Sequence, residues 1–174
     1  MPELSPWPYW NQLDDWTSDG RPDENRARNC GWECCAMVIE YITGVELSAD
    51  FLKDRVYGED YTGNAYAWDM ASALGRWAGI PARARGIKNG DIIPYIAASI
   101  EDGRPVILLI RFTQGDVTSG HFVVAVGYDD DAIIVADPWG GERRVMANGD
   151  LAGVWFKNWV VEILRRRCVE VVET

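Results

Sequence analysis

The hydrophobic period of this chain changes once, near residue 104, and that change fixes the class of fold open to it. Before it, apolar residues recur at helical spacing; after it, they come in short runs of strand length. Cys34, Cys35, Met37, Val38, Tyr41 and Ile42 follow a helical period over about 31–43, and Gly44 stops the run. Ser48, ahead of Ala49-Asp50-Phe51-Leu52, is placed to cap a second helix. Tyr66 to Trp77 carries Met70, Leu74 and Trp77 on one face, and Asp91 opens a fourth helix that ends at Asp102-Gly103. Beyond 104, strands are predicted over 105–112, 121–128 and 132–136, with Asp129-Asp130-Asp131 as the polar turn of a hairpin. A short strand is expected near 143–146, a turn with a short helix over 149–158, and one or two closing strands over 159–172. Helices first and an antiparallel sheet afterwards predict an α+β domain.

The chain has 174 residues, the size of one domain with a full core. It divides into a loop-rich arm over 1–29, a helical part over 30–103 and a sheet part over 104–174. The arm is dense in Trp, Pro, Asp and Arg, and Trp7, Tyr9, Trp10 and Trp16 are expected to anchor it on the core.

Charge and composition exclude several functions. Acidic residues outnumber Lys and Arg by 27 to 17, giving −10 at pH 7. Such a chain has no general attraction to phosphate backbones or anionic lipid, so nucleic acid is not an expected partner. The basic run Arg165-Arg166-Arg167 reads as a solvated face. No segment approaches the roughly 18 apolar residues of a membrane span. The start, Met1 to Pro6, lacks the basic and apolar regions of a secretory signal, so a cytoplasmic location is expected. Cys30, Cys34, Cys35 and Cys168 have neither the paired spacing of a zinc site nor the spread of a disulfide framework. No metal and no cofactor is expected. The acidic group Asp14, Asp15, Asp19, Asp23 and Glu24 lacks the spacing of an EF-hand loop and reads as a solvated loop.

Three residues carry chemistry. Cys30 stands at the start of the first helix, where backbone N–H groups stabilise a thiolate, the reactive form of the side chain. Gly31 beside it leaves room for a substrate backbone. His121, the only histidine, opens a strand after Gly120. Across the Asp129–Asp131 turn, partner residues should have numbers summing to about 260, which sets Asp137 within a residue or two of the level of His121. A carboxylate there can orient an imidazole whose other nitrogen faces a thiolate. Cys34, Cys35 and Cys168 read as packing, and Trp139 with Gly140-Gly141 either lines a cleft or caps the core.

These blocks resemble a known family. Cys30-Gly31-Trp32-Glu33-Cys34-Cys35-Ala36-Met37 is similar to the C-G-P-A-[SC]-x-A-M signature of papain-like cysteine peptidases of family thirty-nine, the bacteriocin-processing, double-glycine-leader group. Gly120-His121-Phe122-Val123-Val124-Ala125-Val126-Gly127-Tyr128 resembles that family's G-H-F-V-V-V-x-G-Y block. Ile134 to Gly141 resembles its strand ending in D-P, and Gly103-Arg104-Pro105-Val106-Ile107 its G-x-P-V-I strand. Order and intervals agree over roughly residues 10–160. The resemblance implies a papain-like α+β fold and a soluble bacterial or phage enzyme acting on a peptide or protein. It makes Cys30 the nucleophile, His121 the general base and acid, and Asp137 the residue that orients His121. It assigns the oxyanion to Gln12, eighteen residues before Cys30 and farther than the family's usual interval. Trp32-Glu33 replaces the usual Pro-Ala, which puts Trp32 beside Gly31, Gly120 and Trp139 as an expected substrate contact. Two other readings of the same triad stay open: an amidase or transglutaminase-like acyl transferase, and an inert module that holds a peptide without cleaving it.

Overall fold

The computed structural model describes residues 2–15, 21, 26–114, 117–150 and 155–164. Helix α1, Cys30–Thr43, is buried along its first ten residues, so that apart from Glu33 its apolar side chains face every direction rather than one stripe. It ends where Gly44 takes a left-handed φ of 74°, a conformation without penalty only for glycine. Helix α2, Ala49–Tyr57, is capped by the Ser48 hydroxyl, which accepts the Phe51 N–H at 3.0 Å. Helix α3, Ala67–Ala78, closes at Gly79, and α4, Ile92–Glu101, precedes the main strands.

Strand β1 is Ala82–Gly86, β2 Val106–Gln114, β3 Val117–Tyr128, β4 Ala132–Asp137, β5 Glu142–Ala147 and β6 Trp155–Ile163. They form one antiparallel sheet in the order β1-β6-β2-β3-β4-β5. The α+β class follows the change of period at residue 104, with two corrections. Strand β1 lies inside the helical part over 30–103, in the stretch between the third and fourth expected helices where no strand was expected, because Ala82-Arg83-Ala84-Arg85 carries no apolar strand signal and pairs with β6, far away in sequence. From Trp155 the chain is already extended, so the turn and short helix expected over 149–158 do not reach that far. The closing strand ends at Ile163; Cys168, the Arg165–Arg167 run and the rest of 165–174 lie outside the described residues, as does Trp16.

The arm straps the end of the sheet. Leu4 N–H donates to Val126 O at 2.7 Å and Tyr128 N–H to Pro2 O at 3.0 Å, at a bulge where the β3–β4 register slips between Ala125 and Gly127. Trp7 is buried against Tyr41, and Trp10 Nε1 donates to Glu40. Tyr9 stays exposed and anchors nothing in the core.

Helix α1 packs on β3 through Gly31. A Cβ at Gly31 would stand 2.9 Å from Ala65 Cβ, 2.9 Å from Met70 Sδ and 3.2 Å from Phe122 Cδ2. The space beside Gly31 is therefore filled by the protein itself and does not admit a substrate backbone. Gly31→Ala is expected to lower stability by about 1–3 kcal/mol through overpacking, read from urea denaturation; an unchanged midpoint would show that helix and strand are not in contact there.

Candidate active site

Cys30, His121 and Asp137 come from three elements and meet at one point. Cys30 begins α1, His121 lies in β3 opposite Ile110 of β2, and Asp137 ends β4. All three are buried, Asp137 most deeply at 2% exposure. Near the site the β3–β4 register pairs Val124 with Ala136, a sum of 260. His121 Nε2 lies 2.7 Å from Asp137 Oδ1. A carboxylate only accepts, so Nε2 carries the proton and donates it. With Nε2 committed, the other ring nitrogen, Nδ1, is the one left to face Cys30, which lies close enough to favour the charged ring.

Asp137 has further partners. Its Oδ1 also accepts the Trp139 N–H at 2.9 Å, and its Oδ2 accepts Arg144 Nη1 at 2.6 Å. Burial alone would raise the Asp137 carboxyl. The His121 hydrogen bond and charge, Arg144 and the Trp139 amide outweigh it and hold the group below the usual carboxylate range. Burial likewise disfavours a charged His121, but the hydrogen bonds to Asp137 and Cys30 and their charges push it up to about 9. Cys34 and Cys35 are fully buried, and burial pushes both thiols well up.

Gln12, in a single 3-10 turn, is completely buried. Its backbone N–H donates to Pro138 O at 2.9 Å and its side-chain Nε2 to Arg26 O at 3.0 Å. It is tied on one side to the residue after Asp137 and on the other to the approach to Cys30. Asn29, just before Cys30, is also buried and donates through Nδ2 to Asp15 at 2.8 Å.

The expected substrate contacts divide. Gly120 is exposed beside His121. Trp32 has no exposure and packs edge-on against Tyr57, with ring centroids 5.7 Å apart, so it is a core residue and presents no face to a cleft. Trp139 contributes its backbone N–H to Asp137, its side chain being half-buried. Gly140 and Gly141, at φ 91° and 65°, form the turn that wraps Asn11, whose Oδ1 accepts the Gly140 N–H at 3.2 Å.

Sequence reasoning passed over Arg144. The signal was the short strand over 143–146: laid beside β4, it sets Arg144 across from Val135, on the face that Asp137 shares. It also passed over an exposed aromatic group formed by α3 and β6. Tyr66 and Trp68 stack at 5.1 Å, and Trp159 meets Trp68 edge-on at 6.5 Å, all three exposed. Among the described residues no cluster of three His, Cys, Asp or Glu side chains is disposed to hold a metal, and no helix is long and apolar enough to cross a membrane. Asp19, Asp23 and Glu24 of the acidic loop lie outside the described residues.

The model of the Peptidase_C39 like family matches residues 5–159. Among solved structures, the chain is similar to a Bacillus anthracis protein assigned as a C39-like peptidase, with a TM-score of 0.68 and 16% identity over 94% of this chain and 97% of that one. It is similar to the peptidase domain of Streptococcus ComA, a bi-functional ABC transporter of a quorum-sensing pathway, with a TM-score of 0.60 and 17% identity over 79% and 92% of the two chains. A double-glycine-motif protease from an AMS/PCAT transporter, solved with its leader peptide, matches at a TM-score of 0.54 and 17% identity over 77% and 84%. At these identities the likeness is one of fold: helices packed on an antiparallel sheet in the papain-like manner. No curated protein matches the chain.

A group raised on folding stabilises the folded state when protonated. His121 rises from 6.5 to about 9, so its contribution is complete below about pH 6.5 and is lost as pH climbs through 9. Asp137→Asn removes the charge behind His121. It is expected to lower the His121 titration midpoint, read by NMR on the single histidine, and to flatten the fall in urea stability between pH 6.5 and 9. An unchanged midpoint would place the cause elsewhere.

Proposed function

Because this chain belongs to the Peptidase_C39 like family, we propose that it is a cysteine peptidase that cleaves a peptide bond through Cys30, His121 and Asp137. The observation that carries this reading is the buried His121–Asp137 hydrogen bond at 2.7 Å, formed by the single histidine of the sequence, with Cys30 close enough to bear on the charge of that ring. Asp137 fixes the ring and its tautomer, so Nδ1 is presented to the Cys30 sulfur. His121 takes the thiol proton, and the thiolate attacks the substrate carbonyl. The developing oxyanion is held by the Cys30 backbone N–H at the start of α1 and by Gln12, whose Nε2 keeps one hydrogen beyond the one given to Arg26 O. One such donor is worth about 10²–10³ in rate. His121 then returns its proton to the leaving amine, and water releases the acyl-enzyme.

A peptide substrate is supported by the neighbour solved with a leader peptide.

Iodoacetamide labelling from pH 4 to 9, mapped by mass spectrometry, tests the reading. Cys30 retains 8% exposure where Cys34 and Cys35 have none, so it should be modified selectively, and His121→Ala should slow that reaction. In peptide-library cleavage, Cys30→Ser should abolish turnover and His121→Ala should lower kcat by roughly 10⁴-fold or more. Cys30 labelling with no dependence on His121, together with no cleavage, would identify an inert peptide-holding module. Amine incorporation or ammonia release without peptide hydrolysis would identify an acyl transferase or amidase.

A further inference from the structure

Asp137 has one more partner than orienting a histidine requires. Its Oδ1 is shared by the His121 Nε2–H and the Trp139 N–H, while its Oδ2 accepts Arg144 Nη1 at 2.6 Å. Strand β5 runs beside β4 so that Glu142 stands opposite Asp137 and Arg144 opposite Val135. The Glu142 carboxyl lies instead over the Gly140 turn, where a Cβ on Gly140 would stand 3.3 Å from Glu142 Cδ. The guanidinium thus reaches Asp137 diagonally, along the face the two residues share. The titratable groups around the pair are Cys30 and Cys34 from α1, His121 from β3, and Arg144 with Glu142 from β5.

An exposed ion pair contributes little. This one is asymmetric: the Arg144 side chain is 43% exposed, but Asp137 is 2% exposed. Loss of a partner from a buried carboxylate leaves a charged oxygen uncompensated, which costs far more than the surface pair would. The terminal torsion of an Asp side chain is broad, so a carboxylate held through one oxygen can swivel. Held through both, it cannot. The planar guanidinium supplies a directed, charge-assisted donor for the second oxygen.

We propose that Arg144 is a positioning residue for the site: by clamping Oδ2 of Asp137 it keeps Oδ1 aimed at His121 Nε2, and so keeps Nδ1 facing Cys30. The catalytic meaning of this clamp rests on the peptidase reading; its effect on the His121–Asp137 pair does not.

His121 is the only histidine, so a ¹⁵N ring spectrum of the full chain contains a single Nε2–H. That resonance, and the rate of Cys30 alkylation by iodoacetamide at pH 6, are compared in wild type, Arg144→Met, Arg144→Gln and Arg144→Lys, with folding checked by near-UV circular dichroism. The Nε2–H is expected to be sharp in wild type and broadened by solvent exchange in the Met and Gln variants. Cys30 alkylation should slow roughly tenfold in both, the lower end of what removing the partner behind an oriented histidine costs. Arg144→Lys, which keeps a cation in reach, should restore part of each signal. A sharp, unshifted Nε2–H in folded Arg144→Met or Arg144→Gln, with alkylation at the wild-type rate, overturns the proposal and leaves Arg144 a solvated ion pair. Alkylation that ignores His121→Ala sinks the peptidase reading instead, and the resonance still decides the role of Arg144.

Discussion

The site depends on how closely a helix can approach a strand. Cys30 belongs to α1 and His121 to β3, and the two side chains meet only if the start of the helix lies against the strand beside it. Gly31 makes that approach possible, because a side chain there would strike Ala65, Met70 and Phe122 together. The same contact explains why α1 is buried on every side. It is a central helix gripped by α2, α3 and the sheet, and only its last turn, from Glu40 on, is partly exposed.

Placing three ionisable groups in that contact creates an electrostatic demand. Buried charges are tolerated only when each is paired and hydrogen-bonded. The structure answers with a chain in which every link has a partner on a different element: α1 to β3, β3 to β4, and β4 to the turn and β5. The raised His121 and lowered Asp137 are two views of this one arrangement, each favouring the charged form of the other. It also makes the sheet register part of the chemistry, since a one-residue slip would turn Asp137 to the opposite face.

Much of this was legible in the residues. The length of α1, its stop at Gly44, the Ser48 cap and the hairpin register that levels Asp137 with His121 all rest on local signals: period, capping chemistry and turn length. What was not legible depended on partners distant in sequence. The Ala-Arg alternation of β1 reads as nothing until β6 lies beside it and Glu162 accepts from Arg83 and Arg85. Trp32 looked like a cleft residue because Trp32-Glu33 stands where the family has Pro-Ala, yet a helix buried all round has no cleft face at that position. Gly31 looked like room for a substrate and is room for Ala65, Met70 and Phe122. Arg144 sat in a correctly expected strand, but its reach to Asp137 is diagonal and needed the pairing of β4 with β5 to be seen.

Gln12 shows how spacing along a chain and spacing in a site come apart. Eighteen residues separate it from Cys30, an interval that by itself argues against a shared site. Two hydrogen bonds remove the objection. The backbone of Gln12 is fastened to Pro138, immediately after Asp137, and its side chain to Arg26, four residues before Cys30. The Asn11 side chain adds a third tie, accepting the Gly140 N–H of the neighbouring turn, and Asp15 holds Asn29 directly ahead of Cys30. The position of Gln12 is thereby set by the end of β4 and the approach to α1, and the number of residues between Gln12 and Cys30 has no bearing on it. Extra length in such a loop costs little, since closure entropy grows only with the logarithm of length. The arm can therefore carry an insertion between its anchor points while the residue proposed to meet the oxyanion stays fixed to the same frame as His121 and Asp137.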